Sequence, residues 1–149
     1  MSKVILCDID GTLSNPEHRL QLAHTTEKDW SSFFEESMSD ECYKDIVWLV
    51  KSLHTLGNKI LIVTARPDSG KNLTIKWLDD VAGLKGIYEK LYMRKSTDHR
   101  NDNIVKQDIL AQILKDGYKP YMVLDDRDSV VDMWRSNGIR CLQVAKGDY

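Results

Sequence analysis

Little in this chain announces a specialised class. Its three cysteines, Cys7, Cys42 and Cys141, are an odd number without metal-ligand spacing, so neither a disulfide framework nor a cysteine-built zinc site is expected. Two of them fall in apolar runs and read as small core residues. A reducing, cytoplasmic setting is the default reading, which means the host cytoplasm if the chain is phage-encoded. The four histidines, His18, His24, His54 and His99, are scattered and also lack ligand spacing. No apolar run approaches transmembrane length, and the first one ends in aspartates too early for a signal peptide. A membrane partner is therefore not expected. The net charge of −2 supplies no global field toward nucleic acid, so a polyanion site has to be a local basic patch. Internal repeats and low-complexity linkers are absent. The 149 residues suit one domain with a single sizeable core, and oligomeric state is not legible.

What is present centres on Val4-Ile5-Leu6-Cys7-Asp8-Ile9-Asp10-Gly11-Thr12-Leu13. Val4 to Leu6 form a short apolar run that reads as a buried strand. Asp8 and Asp10 alternate with apolar residues and so point the same way along an extended backbone. Gly11 then permits an immediate turn. Two carboxylates held that close need a cation or a proton between them. In open α/β sheets this strand end is where ligands bind.

Downstream, Asn15-Pro16 is a turn signal, Glu17 to His24 suits a short helix, and Thr25 or Thr26 caps a second through Lys28, Trp30, Phe33 and Phe34. These aromatics read as packed core, with a base-stacking surface as the alternative. Residues 14–42 form an insertion beside the carboxylates, where a lid would sit. Tyr43 to Leu56 is an amphipathic helix ending at Gly57. Lys59 to Ala65 is a second buried strand. Asp68 or Ser69 then caps a helix through Leu78 and Val81, with Gly83 after it. Tyr88 to Met93 is a strand, and Asp102 to Leu114 a helix closed by Gly117. Tyr121 to Leu124 is a strand ending in Asp125-Asp126, Ser129 to Ser136 a helix stopped at Gly138, and Cys141 to Ala145 a last strand. This alternation implies βαβ units and a mainly parallel sheet with helices on both faces. It gathers Asp8/Asp10, Thr64/Arg66 and Asp125/Asp126 at one edge. Thr64, at a strand end before a helix N-terminus, is a reasonable cradle for a phosphate oxygen.

Asp8-Ile9-Asp10-Gly11-Thr12 resembles the first signature, D-x-D-x-T, of the haloacid dehalogenase (HAD) superfamily. Thr64 resembles the second, a hydrophobic strand ending in Thr or Ser. Lys106 stands where the superfamily places a Lys or Arg, and Asp125-Asp126 resembles its acidic pair. The resemblance implies a Rossmann-like three-layer α/β/α sandwich with a small helical cap insertion at about 14–42. It also implies phosphoryl transfer in which Asp8 is the nucleophile and Asp10 the general acid/base. On this pattern Asp8, Asp125, Asp126 and the backbone carbonyl of Asp10 serve Mg²⁺, while Thr64, Arg66 and Lys106 stabilise the transferring group.

The match narrows further along the chain. Val63-Thr64-Ala65-Arg66, Asp98-His99-Arg100-Asn101-Asp102, Leu124-Asp125-Asp126-Arg127 and Gly147-Asp148-Tyr149 are similar to the phosphatase domains of the bacteriophage polynucleotide kinase-phosphatase family. That family removes 3′-phosphates from DNA or RNA ends. The resemblance implies that Arg94, Ala65, Arg100 and Arg127 contact substrate, that Asp102 braces basic groups, and that Gly147 to Tyr149 pack against the domain. Arg94-Lys95, His99-Arg100 and Arg127 would form the local basic patch, with solvated loop charge as the alternative. A kinase P-loop is missing: Gly70-Lys71 is preceded by Ala65 rather than the first glycine and followed by Asn72 rather than Ser or Thr. Any kinase or ligase would thus be a separate protein. Two other functions stay open, a phosphatase of small nucleotides or other phosphomonoesters and a non-catalytic binder of phosphorylated ends.

Overall fold

The structure is a computed structural model and describes residues 2–19 and 36–149. The expected helix from Thr25 or Thr26 through Phe34, and most of the one from Glu17 to His24, fall outside the described residues; residues 17–19 are helical.

Five parallel strands form the central sheet: β1 (Val4–Cys7), β4 (Lys59–Pro67), β5 (Tyr88–Arg94), β6 (Pro120–Asp125) and β7 (Arg140–Gln143), in the order β5-β4-β1-β6-β7. Two short strands, β2 (Ser14–Asn15) and β3 (Glu41–Cys42), pair antiparallel. Ser14 faces Cys42 and Asn15 faces Glu41, so the two ends of the 14–42 segment are tied together beside the end of β1. After β3, the α-helices among the described residues are α1 (Lys44–Thr55), α2 (Lys71–Lys76), α3 (Asp102–Lys115) and α4 (Asp128–Ser136).

Alternation along the strands explains the layers. Leu6, Leu61, Val63 and Val123 join Val105, Ile109 and Ile113 of α3 and Val130, Val131 and Trp134 of α4 in one buried cluster. Their neighbours Ile5, Cys7, Ile60, Ile62 and Leu124 join Val47 and Val50 of α1, with Trp77 and Leu78 after α2, on the other side. Both faces of the sheet are covered, which is why the strands read as continuous apolar runs rather than half-polar ones. Cys7 and Cys141 are buried, as expected of small core residues.

Two expectations need correction. The helix after β4 is not capped by the side chain of Asp68 or Ser69. Asp68 Oδ1 instead accepts a hydrogen bond from Ser96 N at 3.0 Å, so the carboxylate ties two loops together. Nor is that helix uniform: a 3₁₀ turn at Asp68–Gly70 leads into α2, and a π turn follows at Trp77–Val81. The fully buried Trp77 donates its indole N–H to the Asp40 carbonyl at 2.9 Å, which binds that turn to the segment before β3. The last strand also starts one residue before, and ends two before, the expected Cys141 to Ala145.

Candidate active site

The sheet order places β4, β1 and β6 side by side, so their C-terminal ends deliver Thr64/Arg66, Asp8/Asp10 and Asp125/Asp126 to one edge. After β1 the chain turns tightly. The Ile9 carbonyl accepts from Thr12, Leu13 and Ser14 N–H, and Gly11 N donates to Ser14 O at 2.9 Å. Gly11 has φ +84°, and a β-carbon there would meet Asp126 Oδ2 at 2.1 Å. The Asp126 carboxylate thus fills the space that any other side chain would occupy.

Asp8, Asp125 and Asp126 are buried, and one oxygen from each lies within 4.8 Å of the others. Lys106, from α3, donates to Asp8 Oδ1 and Asp125 Oδ2, both at 2.9 Å. Thr12 Oγ1 donates to Asp8 Oδ2 at 3.0 Å, and Trp134 Nε1 to Asp125 Oδ2 at 3.2 Å. Burial pushes the Asp8 carboxyl well above the usual range, the Asp125 charge adds to this, and Lys106 opposes it. Asp126 is raised by burial too, against a hydrogen bond from Tyr149. For Lys106, burial alone would lower the ammonium, but Asp125 and Asp8 outweigh it and hold it charged.

Asp10 has a different environment. Arg66 Nε and Nη2 donate to its two oxygens at 2.9 and 2.7 Å, Arg19 Nη2 also donates to Oδ1, and Ser14 Oγ lies at 3.2 Å. Burial would raise this carboxyl, but Arg66 first and then Arg19 hold it well below the ordinary range. Behind the two guanidiniums sits Asp40, with a fully buried side chain. It accepts from Arg19 Nε at 2.9 Å and Nη2 at 2.8 Å, from His18 Nε2 at 2.6 Å, and more weakly from Arg66 Nη2 at 3.5 Å. The segment between β1 and β3 therefore reaches the carboxylate edge through Arg19 and Asp40. Sequence reasoning missed both, as it missed the supporting bonds of Thr12 and Trp134.

The remaining sequence-predicted residues divide. Thr64 is buried, and its Oγ1 accepts from Arg66 N at 3.1 Å. Arg94 spends its guanidinium on the protein, donating to the carbonyls of Ala65 (2.8 Å), Asp98 and Arg100 and to Asp102 Oδ1 (2.6 Å). Asp102 Oδ2 accepts from Arg127 Nη1 at 2.7 Å, so one carboxylate joins the two arginines. Arg100 is not brought to the cluster; it is exposed and paired with Asp98 and Asp108. The carbonyl of Ala65 faces Arg94 rather than the carboxylates.

The donor set suits a hard cation. Among the described residues, Asp126 Oδ1 is buried without a hydrogen-bond partner, and so is Arg66 Nη1. An orphaned carboxylate oxygen within an all-oxygen cluster fits Mg²⁺-like coordination, and an orphaned guanidinium nitrogen fits an anion. No helix among the described residues is long and apolar enough to cross a membrane.

Residues 2–149 match the family described as the polynucleotide kinase PNKP phosphatase domain. A protein of Autographa californica nuclear polyhedrosis virus, provisionally named a bifunctional polynucleotide kinase/RNA ligase, is 28% identical over 134 residues, covering 89% of this chain and 18% of that protein. A chain in the structure of the Pnkp1/Rnl/Hen1 RNA repair complex superposes with a TM-score of 0.79 at 28% identity, covering 100% of this chain and 44% of that one. The class C acid phosphatase of Bacillus anthracis shares the fold, with a TM-score of 0.70 at 12% identity over 99% of this chain and 68% of the other. This chain thus spans under half the length of the viral relative and of the repair-complex chain.

Proposed function

The chain belongs to the polynucleotide kinase PNKP phosphatase domain family, within the HAD fold, and from that premise we propose that it is a Mg²⁺-dependent polynucleotide 3′-phosphatase acting in nucleic-acid end repair. The observation that carries the reading is the division of labour between two carboxylates two residues apart. Asp8 is buried against Lys106 and Asp125, whereas Asp10 is turned toward Arg66 and Arg19. Lys106 beside Asp8 favours the ionised form a nucleophile needs, and Asp10, placed next to it, carries a proton only when its arginines let go.

In the first step an Asp8 oxygen attacks phosphorus, the bond from phosphorus to the 3′-oxygen breaks, and Asp10 gives that oxygen a proton. In the second step Asp10 takes a proton from water, the water oxygen attacks phosphorus, and the Asp8 acyl phosphate bond breaks to release phosphate. At rest Asp10 is held ionised by Arg66 and Arg19. It becomes an acid only once that grip loosens and it takes a proton from solvent; later cycles reuse the proton that it takes from water in the second step. An arriving phosphate competes for Arg66, whose Nη1 has no hydrogen-bond partner among the described residues. Asp8, Asp125 and Asp126 would hold Mg²⁺, which when bound would supply charge neutralisation at the phosphoryl oxygens. Lys106 adds a fixed positive charge on the same side, and Arg66 completes the anion site. Thr64 orients Arg66 through its backbone N–H.

Kinase and ligase steps belong to separate proteins or segments on this reading, which the assembly named for the Pnkp1/Rnl/Hen1 neighbour supports. Phosphate release is measured with Mg²⁺ and with EDTA from an oligonucleotide 3′-phosphate, the same oligonucleotide 5′-phosphate and a nucleoside 3′-monophosphate. Metal-dependent preference for the first is expected. Equal or faster turnover of the mononucleotide moves the assignment to small nucleotides, and no release from any of them makes the site a binder.

A further inference from the structure

The segment after β7 is held at Val144, Gly147 and Tyr149. Val144 N donates to Asp125 O at 3.1 Å, and Gly147 O accepts from Asp128 N at 2.8 Å. Gly147 lies so close to the end of β6 that a β-carbon there would stand 1.9 Å from the Asp126 carbonyl oxygen. The chain is thereby laid across the site edge and delivers Tyr149 to the carboxylate cluster. The Tyr149 phenol donates to Asp126 Oδ2 at 2.6 Å. Its carbonyl accepts from Arg127 Nε at 3.0 Å, and the Arg127 guanidinium lies 5.1 Å from the ring centre. Arg127 is itself held by Asp102. Despite these anchors the residue is 65% exposed.

A brace on Asp126 needs a hydroxyl, not an open ring. A large aromatic that is anchored at both ends, carries a cation against it and stays exposed is a surface awaiting a flat partner. Its phenol oxygen is one hydrogen bond from the cluster where phosphorus would react. A nucleotide whose 3′-phosphate enters that cluster has its sugar and base within reach of Tyr149. We propose that Tyr149, backed by Arg127, is the stacking platform for the base of the nucleotide that loses its phosphate. This assignment rests on the 3′-phosphatase reading and names how that site tells a nucleotide end from a bare phosphoester. Stacking accepts every base, since each has a π face, so the platform confers end recognition without sequence preference. Because the ring is already ordered, little side-chain entropy opposes the contact.

The test uses the full chain and two oligonucleotide 3′-phosphates that differ only at the last nucleotide, one with a base and one abasic. The quantity read is the ratio of their kcat/KM values. In the wild type the base is expected to be worth roughly five- to 150-fold. Tyr149→Leu brings the ratio close to one, and Tyr149→Phe, which keeps the ring and loses the hydroxyl, restores it. Any damage to Asp126 weakens both substrates alike and cancels in the ratio. A wild-type ratio near one overturns the platform, as does a Leu variant that keeps the wild-type ratio. Equal losses on both substrates in the Leu and Phe variants would make Tyr149 a brace for Asp126 alone. Absence of turnover on both substrates by the wild type would remove the 3′-phosphatase reading and the platform with it.

Discussion

Replacing Lys106 with methionine keeps the stem length and removes the charge that spans Asp8 and Asp125. Both contacts are 2.9 Å, and the three side chains are almost wholly buried. At an effective dielectric of about 20, each pair is worth roughly 6 kcal/mol of Coulomb attraction, most of it offset by desolvation. Truncating one member of a buried pair costs about 3–5 kcal/mol, because the remaining charges stay buried without compensation. For a chain of this length that is a fall in Tm of roughly 6–20 °C. Because its raised folded value lies above that of the unfolded chain, the contribution of Lys106 is fully present below the unfolded lysine value, so the loss is constant across neutral pH. Two further measurements separate the charge argument from lost packing. Mg²⁺ should recover part of the Tm, since the ion neutralises the same carboxylates, and Lys106→Met/Asp125→Asn should be more stable than Lys106→Met alone. Calorimetry with EDTA and with Mg²⁺ reads all of these. A Lys106→Met protein with unchanged Tm, or a double variant less stable than the single, refutes the reasoning.

Three more perturbations follow from the same geometry. Gly11→Ala places a β-carbon 2.1 Å from Asp126 Oδ2 at a φ of +84°. The strain costs about 1–2 kcal/mol, and titration calorimetry should show divalent-cation affinity lowered at least about tenfold; unchanged affinity would separate Asp126 from the ion. Asp8 and Asp126 have raised folded values, so in metal-free protein their contribution to stability is present at low pH and lost as pH rises through those values. The Tm gain from Mg²⁺ should accordingly be larger at about pH 8 than at about pH 5, and equal gains would contradict the assignment. Asp10 acts oppositely, but its contribution is lost only below the ordinary carboxylate range. Asp40→Asn frees Arg19 and Arg66 from their common anchor. It should lower kcat/KM by roughly ten- to a hundredfold while the chain remains folded by circular dichroism; a variant with wild-type kinetics would show that the insertion does not position the arginines.

The parts of the molecule legible in the sequence are those set by short-range pattern. Val4 to Cys7, Ile60 to Val63 and Met122 to Leu124 are apolar runs, and the polar residues just beyond them emerge at a strand end. That pattern alone puts Asp8, Thr64 and Asp125 at one sheet edge. Lys106 was reachable through resemblance alone, since nothing in its own helix marks it as buried. Arg19 and Asp40 escaped because their meeting depends on the path of the insertion, across 21 positions, and neither sits in a periodic apolar pattern. The π turn at Trp77–Val81 escaped for a similar reason: the indole bond to Asp40 that ties it down is a tertiary contact, which a helical pattern does not reveal. Asp68 looked like a cap because a cap needs only local sequence, whereas its actual partner, Ser96 N, lies on another loop.

The central claim is that Asp8 forms the covalent bond to phosphorus, and Asp8→Asn tests it most directly. The change removes a charge that Asp125 and burial already disfavour, so the fold should hold with Tm equal to or above that of the metal-free wild type. Phosphate release from an oligonucleotide 3′-phosphate should fall by at least about a thousandfold at saturating Mg²⁺. Turnover within tenfold of wild type by a correctly folded Asp8→Asn protein would contradict the account.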